Sequence, residues 1–67
     1  MNWFFNIFSG RTYTQTNNLM TSDEGKTYTK VGNDWLSEEG EYIRRDNFGY
    51  TNTQTGVSSN WGDPFEN

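Results

Sequence analysis

Ser22-Asp23-Glu24-Gly25 and Ser37-Glu38-Glu39-Gly40 are near copies fifteen residues apart. Each leads into a short β-prone stretch, Lys26-Thr27-Tyr28-Thr29 after the first and Glu41-Tyr42-Ile43-Arg44 after the second. Upstream, Gly10 stands at the same interval before Arg11-Thr12-Tyr13-Thr14; downstream, Gly56 arrives one residue late. Each β-prone stretch is followed by a turn-forming patch containing Asn, at Asn17-Asn18, Gly32-Asn33-Asp34 and Asp46-Asn47. An apolar or aromatic return comes next, in Leu19-Met20, Trp35-Leu36 and Phe48-Gly49-Tyr50.

Physical chemistry turns this interval into a fold. Thr, Tyr, Trp, Phe, Val and Ile suit a pleated, half-buried surface. Ser and Asp at the head of a turn bond backbone groups two residues on, and a closing Gly supplies positive φ without a steric cost. The pattern predicts a mostly β chain: a small antiparallel meander of about five or six short strands built on a 15-residue repeat. Strands are expected over residues 12–15, 26–31, 34–36, 41–45, 48–52 and 56–61. In the second of these, Thr27, Thr29 and Val31 face one way and Lys26, Tyr28 and Lys30 the other. Ala is absent and no apolar spacing of three and four is sustained, so helix signals are nearly missing.

The chain reads as a single small domain in three parts: an apolar N-terminal segment at 1–9, the meander at 10–61 and a C-terminal tail at 62–67. The first part, Met1-Asn2-Trp3-Phe4-Phe5-Asn6-Ile7-Phe8, is too short for periodicity to decide between helix and strand. A helix would gather Phe4, Ile7 and Phe8 on one face; a strand would separate Trp3, Phe5 and Ile7 from Phe4 and Phe8.

Composition excludes several kinds of chemistry. With no Cys and no His there is no disulfide framework, zinc finger or His-dependent catalytic pair. Paired carboxylates for glycoside hydrolysis would have to come from Asp23, Glu24, Glu38, Glu39 and Glu41, which fall in predicted exposed turns. No calcium-loop or phosphate-loop pattern occurs. We expect no enzyme, no cofactor and no metal. Nine acids against five bases leave a net charge of −4, the wrong sign for direct nucleic-acid binding. Neither a basic signal-peptide region nor a run of about twenty apolar residues is present, so the expectation is a cytoplasmic chain with no transmembrane segment.

Residues 50–64, Tyr50-Thr51-Asn52-Thr53-Gln54-Thr55-Gly56-Val57-Ser58-Ser59-Asn60-Trp61-Gly62-Asp63-Pro64, resemble the back half of a WW domain, with its Tyr-x-Asn, Thr-Gly turn, Trp and Pro. The resemblance covers about half of the chain and implies that Tyr50 and Trp61 form an aromatic groove for a polyproline II ligand. The Asn52-to-Trp61 spacing is one residue longer than in that pattern, which turns the Trp to the opposite sheet face. The fifteen-residue interval accounts for the same residues.

Twelve aromatics stand against six Val, Ile and Leu, so rings must supply the core, and a monomer of this size is marginal. The expected function is a protein-interaction or structural module, of a composition that suits a small bacterial or phage protein. Its expected partner is another copy or another protein. Candidate interaction residues are Trp3, Phe4, Phe5, Ile7, Phe8, Tyr50 and Trp61; Asp23, Glu24, Glu38, Glu39 and Glu41 form a candidate acidic surface. Two other classes remain open. One is an acidic inhibitor that fills a basic groove, which needs those acids on one face. The other is a carbohydrate binder, which needs Tyr13, Tyr28 and Tyr42 exposed in a row.

Overall fold

A computed structural model describes residues 2–66. Seven strands follow one another in a single antiparallel sheet whose spatial order is the chain order. They are β1 (Asn2–Asn6), β2 (Arg11–Thr16), β3 (Leu19–Ser22), β4 (Thr27–Val31), β5 (Asp34–Ser37), β6 (Tyr42–Asp46) and β7 (Gly49–Asn52). The mostly β meander expected from the sequence is therefore the fold, with more strands than the five or six anticipated. The apolar N-terminal segment resolves as a strand followed by a turn. Leu19–Ser22 is a strand of its own, whereas the stretch expected at 56–61 makes only one isolated bridge, Thr51 to Ser58.

The seven strands alternate between two kinds of reversal. At one rim two residues suffice: Thr16 pairs with Leu19, Val31 with Asp34 and Asp46 with Gly49. The first of these puts Asn17 at φ 53°, a left-handed conformation that Asn tolerates better than most residues. At the other rim the loops are longer and carry the serine-headed turns. Ser22 Oγ accepts from the N–H groups of Glu24 and Lys26 at 3.2 and 3.1 Å. Ser37 Oγ accepts from Glu39 and Glu41 at 3.2 and 2.9 Å. Gly25 and Gly40 close these turns at φ 88° and 92°, where a side chain would be strained. Asn52 takes over after β7, its Oδ1 accepting from Gln54 and Thr55 at 2.9 and 3.1 Å.

Strand register sorts the side chains onto two faces. Phe4 lies opposite Tyr13, Met20 opposite Tyr28, Trp35 opposite Ile43 and Ile43 opposite Asn52, so these residues share the inner face. Tyr13, Met20, Tyr28, Trp35 and Ile43 are almost wholly buried there. The fifteenth residue after Tyr28 is Ile43, not Tyr42. Tyr42 turns outward and donates its hydroxyl to Asp34 Oδ2 at 2.5 Å. That bond, ahead of the one from the Arg45 N–H, pulls the Asp34 carboxyl below its usual range.

Phe65 sits at the centre of the core. Its ring lies 6.2 Å from Phe4 on β1, 5.5 Å from Tyr13 on β2, 5.3 Å from Tyr28 on β4 and 5.4 Å from Tyr50 on β7. One ring can reach both the first and the last strand only because the sheet curls into a half-barrel around it. The segment expected as a tail thus supplies the plug that fills the concave face.

Candidate functional site

The feature with most potential for recognition is the seam of the half-barrel, where β1 approaches the chain that returns after β7. On the far side the return is held closely. Asn52 donates to Val57 and Ser59 to Tyr50, both at 2.9 Å, and Ser59 Oγ also accepts the Tyr50 N–H at 2.6 Å. The outer edge of β7 is occupied by its own chain. From there residues 62–65 cross toward β1, and polar contacts at Asp63, Pro64 and Phe65 fix them.

Asp63 carries the first contact. Its Oδ2 accepts the Ser9 hydroxyl at 2.5 Å and the buried Tyr13 hydroxyl at 2.6 Å, while Oδ1 accepts the Phe65 N–H at 3.0 Å. Asn52 Nδ2 then donates to the Pro64 carbonyl at 2.9 Å, and the Tyr28 hydroxyl donates to the Phe65 carbonyl. Burial pushes both phenols above the ordinary tyrosine range. For Tyr13 the Asp63 hydrogen bond adds to that shift, and for Tyr28 the nearby negative charge of Asp63 does. Each group favours a protonated tyrosine facing a carboxylate or carbonyl, an arrangement that holds the plug.

Two grooves open along the seam. The first, about 260 Å³, is lined by Phe4, Phe5, Asn6, Gly49, Tyr50, Ser59, Pro64 and Phe65. The second is a shallower depression of about 570 Å³ containing Phe8, Ser9, Val57, Trp61 and Asp63. Five of the candidate interaction residues therefore lie on this one seam: Phe4, Phe5 and Tyr50 in the first groove, Phe8 and Trp61 in the second. Tyr50 and Trp61 do not share a groove, and Pro64 is buried against the core, so the polyproline-binding arrangement of a WW domain is not formed.

Exposure separates the candidates further. Phe4 is half-buried, stacked on Tyr13 at 5.0 Å. Trp3, Phe5, Ile7, Phe8 and Trp61 are exposed by 70, 53, 79, 55 and 61%. Phe48, at the opposite rim, is exposed by 78% and was not singled out from the sequence. An isolated exposed ring in a hairpin tip is ordinary; four large apolar residues within six positions are not.

The acidic candidates share the rim of serine-headed turns, but bases are interleaved among them. Arg11 bridges Asp23 at 3.6 Å, Glu24 at 2.7 Å and Glu66 at 3.4 Å. Lys26 bridges Glu39 at 3.2 Å and Glu41 at 3.6 Å, and Glu41 is buried. Asp23 and Glu38 also accept the N–H groups of Thr12 and Thr27 at 3.1 and 3.0 Å, which makes them turn locks. Tyr13 and Tyr28 are core residues, so no row of exposed tyrosines exists for stacking on sugars.

Ser9, Asp63 and Phe65 are not among the candidates that the sequence offers. A Gly-Asp-Pro-Phe run holding the chain's single proline was the available signal. The described residues contain no helix long and apolar enough to cross a membrane. Compared with protein-family models, curated proteins and solved structures, the chain matches none.

Proposed function

We propose that this chain is a non-enzymatic protein-interaction module that presents the β1 edge and the adjoining seam to a protein partner. The observation that carries this reading is the exposure of Trp3, Phe5, Ile7 and Phe8 on one uncharged segment, in a chain otherwise short of apolar side chains. A domain of this size gains little by leaving such area in water when it has so few rings to bury. The same rings, desolvated in a complex, are the side-chain types that dominate binding energy.

The fifteen-residue interval fits this role as a repeated strand-turn-strand unit that builds a rigid platform with few aliphatic residues. The acidic rim, already engaged by Arg11 and Lys26, keeps the chain soluble.

The test compares the wild-type chain with Phe5→Lys and Trp61→Lys as baits in extracts of the native host. Both side chains are exposed, so circular dichroism should show unchanged folds. Partners retained by the wild type and lost by both variants support the seam as the docking surface. Identical partner sets for all three baits overturn it.

A further inference from the structure

We infer that the partner of the β1 edge is a second copy of this chain, docked strand to strand through an antiparallel β1–β1 pair in which Trp3 lies opposite Phe5. The inference rests on the interaction reading above and names its partner.

Backbone direction comes first. Thr12 accepts from the Asp23 N–H at 2.9 Å, so the main-chain groups of Thr12 face β3. Alternation then turns those of Arg11, Tyr13 and Gln15 toward β1, opposite Asn6, Phe4 and Asn2. The groups of Trp3 and Phe5 consequently point away from β2, along the outer edge of β1. Among the described residues no strand pairs with that edge, whereas the β7 edge is occupied by residues 57–59. Exposed sheet edges are ordinarily guarded by charge, proline or a bulge. β1 has none of these: no charged residue occurs before Arg11, no proline before Pro64, and its register to β2 is unbroken over all five pairs.

Self-complementarity selects the occupant. Asn2-Trp3-Phe4-Phe5-Asn6 reads the same chemically in both directions: amide, aromatic, aromatic, aromatic, amide. A two-fold axis at Phe4 places Trp3 against the partner's Phe5, Phe4 against the partner's Phe4 and Asn2 against the partner's Asn6. The residues with outward main-chain groups, Trp3 and Phe5, then fall in the hydrogen-bonded pairs, as an antiparallel ladder requires. Phe4, on the inner face, falls in the closer non-hydrogen-bonded pair, beside the apolar groove of Tyr50, Pro64 and Phe65. Charge favours the same occupant. Two copies of a chain of net charge −4 repel each other least through a neutral segment, and β1 supplies one. The dimer is an isologous one in which two seven-stranded sheets become continuous.

Two measurements test this. Sedimentation from about 1 to about 200 μM should show a reversible dimer, with Phe5→Lys shifting its midpoint at least about tenfold higher in concentration, because two like charges enter the paired edge. Register is tested by mixing Trp3→Cys and Phe5→Cys chains under mild oxidation. The chain has no other thiol, and the paired α-carbons, about 5.5 Å apart, lie within disulfide reach. A mixed disulfide that forms faster than either homodimer is expected; equal rates overturn the register. A wild-type chain that stays monomeric throughout, yet loses bait partners on Phe5→Lys, overturns the second-copy assignment and leaves the interaction reading standing. A monomer whose partners are indifferent to Phe5→Lys overturns both.

Discussion

Tyr13 donates its buried hydroxyl to Asp63 at 2.6 Å, joining the second strand to a residue fifty positions later. The same carboxylate oxygen takes the Ser9 hydroxyl. Charge-assisted bonds of this kind are stronger than neutral ones, and leaving either partner unmatched in the core carries a desolvation cost. We expect Tyr13→Phe and Asp63→Asn each to destabilise the fold by about 1–3 kcal/mol. The double variant should cost less than their sum, since the charge-assisted bond the two residues share can be lost only once. Urea unfolding of the four chains measures the coupling; strict additivity would mean that the two groups stabilise independently.

Phe65 is the second test of the plug. Its ring contacts Phe4, Tyr13, Tyr28 and Tyr50, and among the described residues no other ring joins the two ends of the sheet in this way. Truncation of a buried Phe costs about 3–5 kcal/mol, which is a large share of the stability of any small domain. Phe65→Ala should therefore leave a substantially unfolded population at room temperature, visible as lost near-ultraviolet dichroism. Phe48→Ala, at an exposed position, should stay within about 0.5 kcal/mol of wild type.

What the sequence revealed and what it hid follow from the range of the interactions. Hairpin turns are local, so Asn17-Asn18 and the serine-headed turns were legible from a few residues each. Period-two alternation groups Tyr28 with Lys26 and Lys30 on one face of its strand, but which face turns inward depends on the curl of the sheet. Phe65 was not legible, because its place depends on the curl of the whole sheet and on hydrogen bonds from Ser9, Tyr13, Tyr28 and Asn52, none of them nearby in sequence. Tyr42 misled for a related reason. Its likeness to Tyr13 and Tyr28 was compositional, while the strand phase assigns the inward position to Ile43. For the candidate site, the uncharged aromatic segment was visible at once, but that its edge is open depended on residues 57–59 pairing with β7 instead.

Ser22 and Ser37 make the same pair of backbone contacts fifteen residues apart. Their Oγ atoms each satisfy two N–H groups of a tight turn, and both side chains are buried. Ser22→Ala and Ser37→Ala should each cost about 1 kcal/mol, on the scale of a lost cap, and to within about 0.5 kcal/mol of one another. Thermal unfolding of the two variants provides the comparison. A wide gap would show that the two turns carry unequal loads despite their matching geometry.

Alkali should unfold this chain through its tyrosines. Burial holds Tyr13 and Tyr28 protonated above the ordinary range, with Asp63 reinforcing both. In the unfolded chain they ionise near pH 10. Between that value and their folded pKa values the unfolded state binds fewer protons, so stability falls as pH rises. The contribution is fully present below about pH 10 and is lost above it, at up to about 1.4 kcal/mol per pH unit for each group. Two such groups in a marginal domain make the transition cooperative. Tyrosinate absorbance from the core should therefore appear together with the loss of β-sheet dichroism, in one step above pH 10. Tyr13→Phe removes one of the two titrations, so once its lower starting stability is allowed for, its stability should fall less steeply with pH. If tyrosinate absorbance from Tyr13 and Tyr28 develops while the sheet signal is intact, these phenols are open to solvent and the plug does not seal the core.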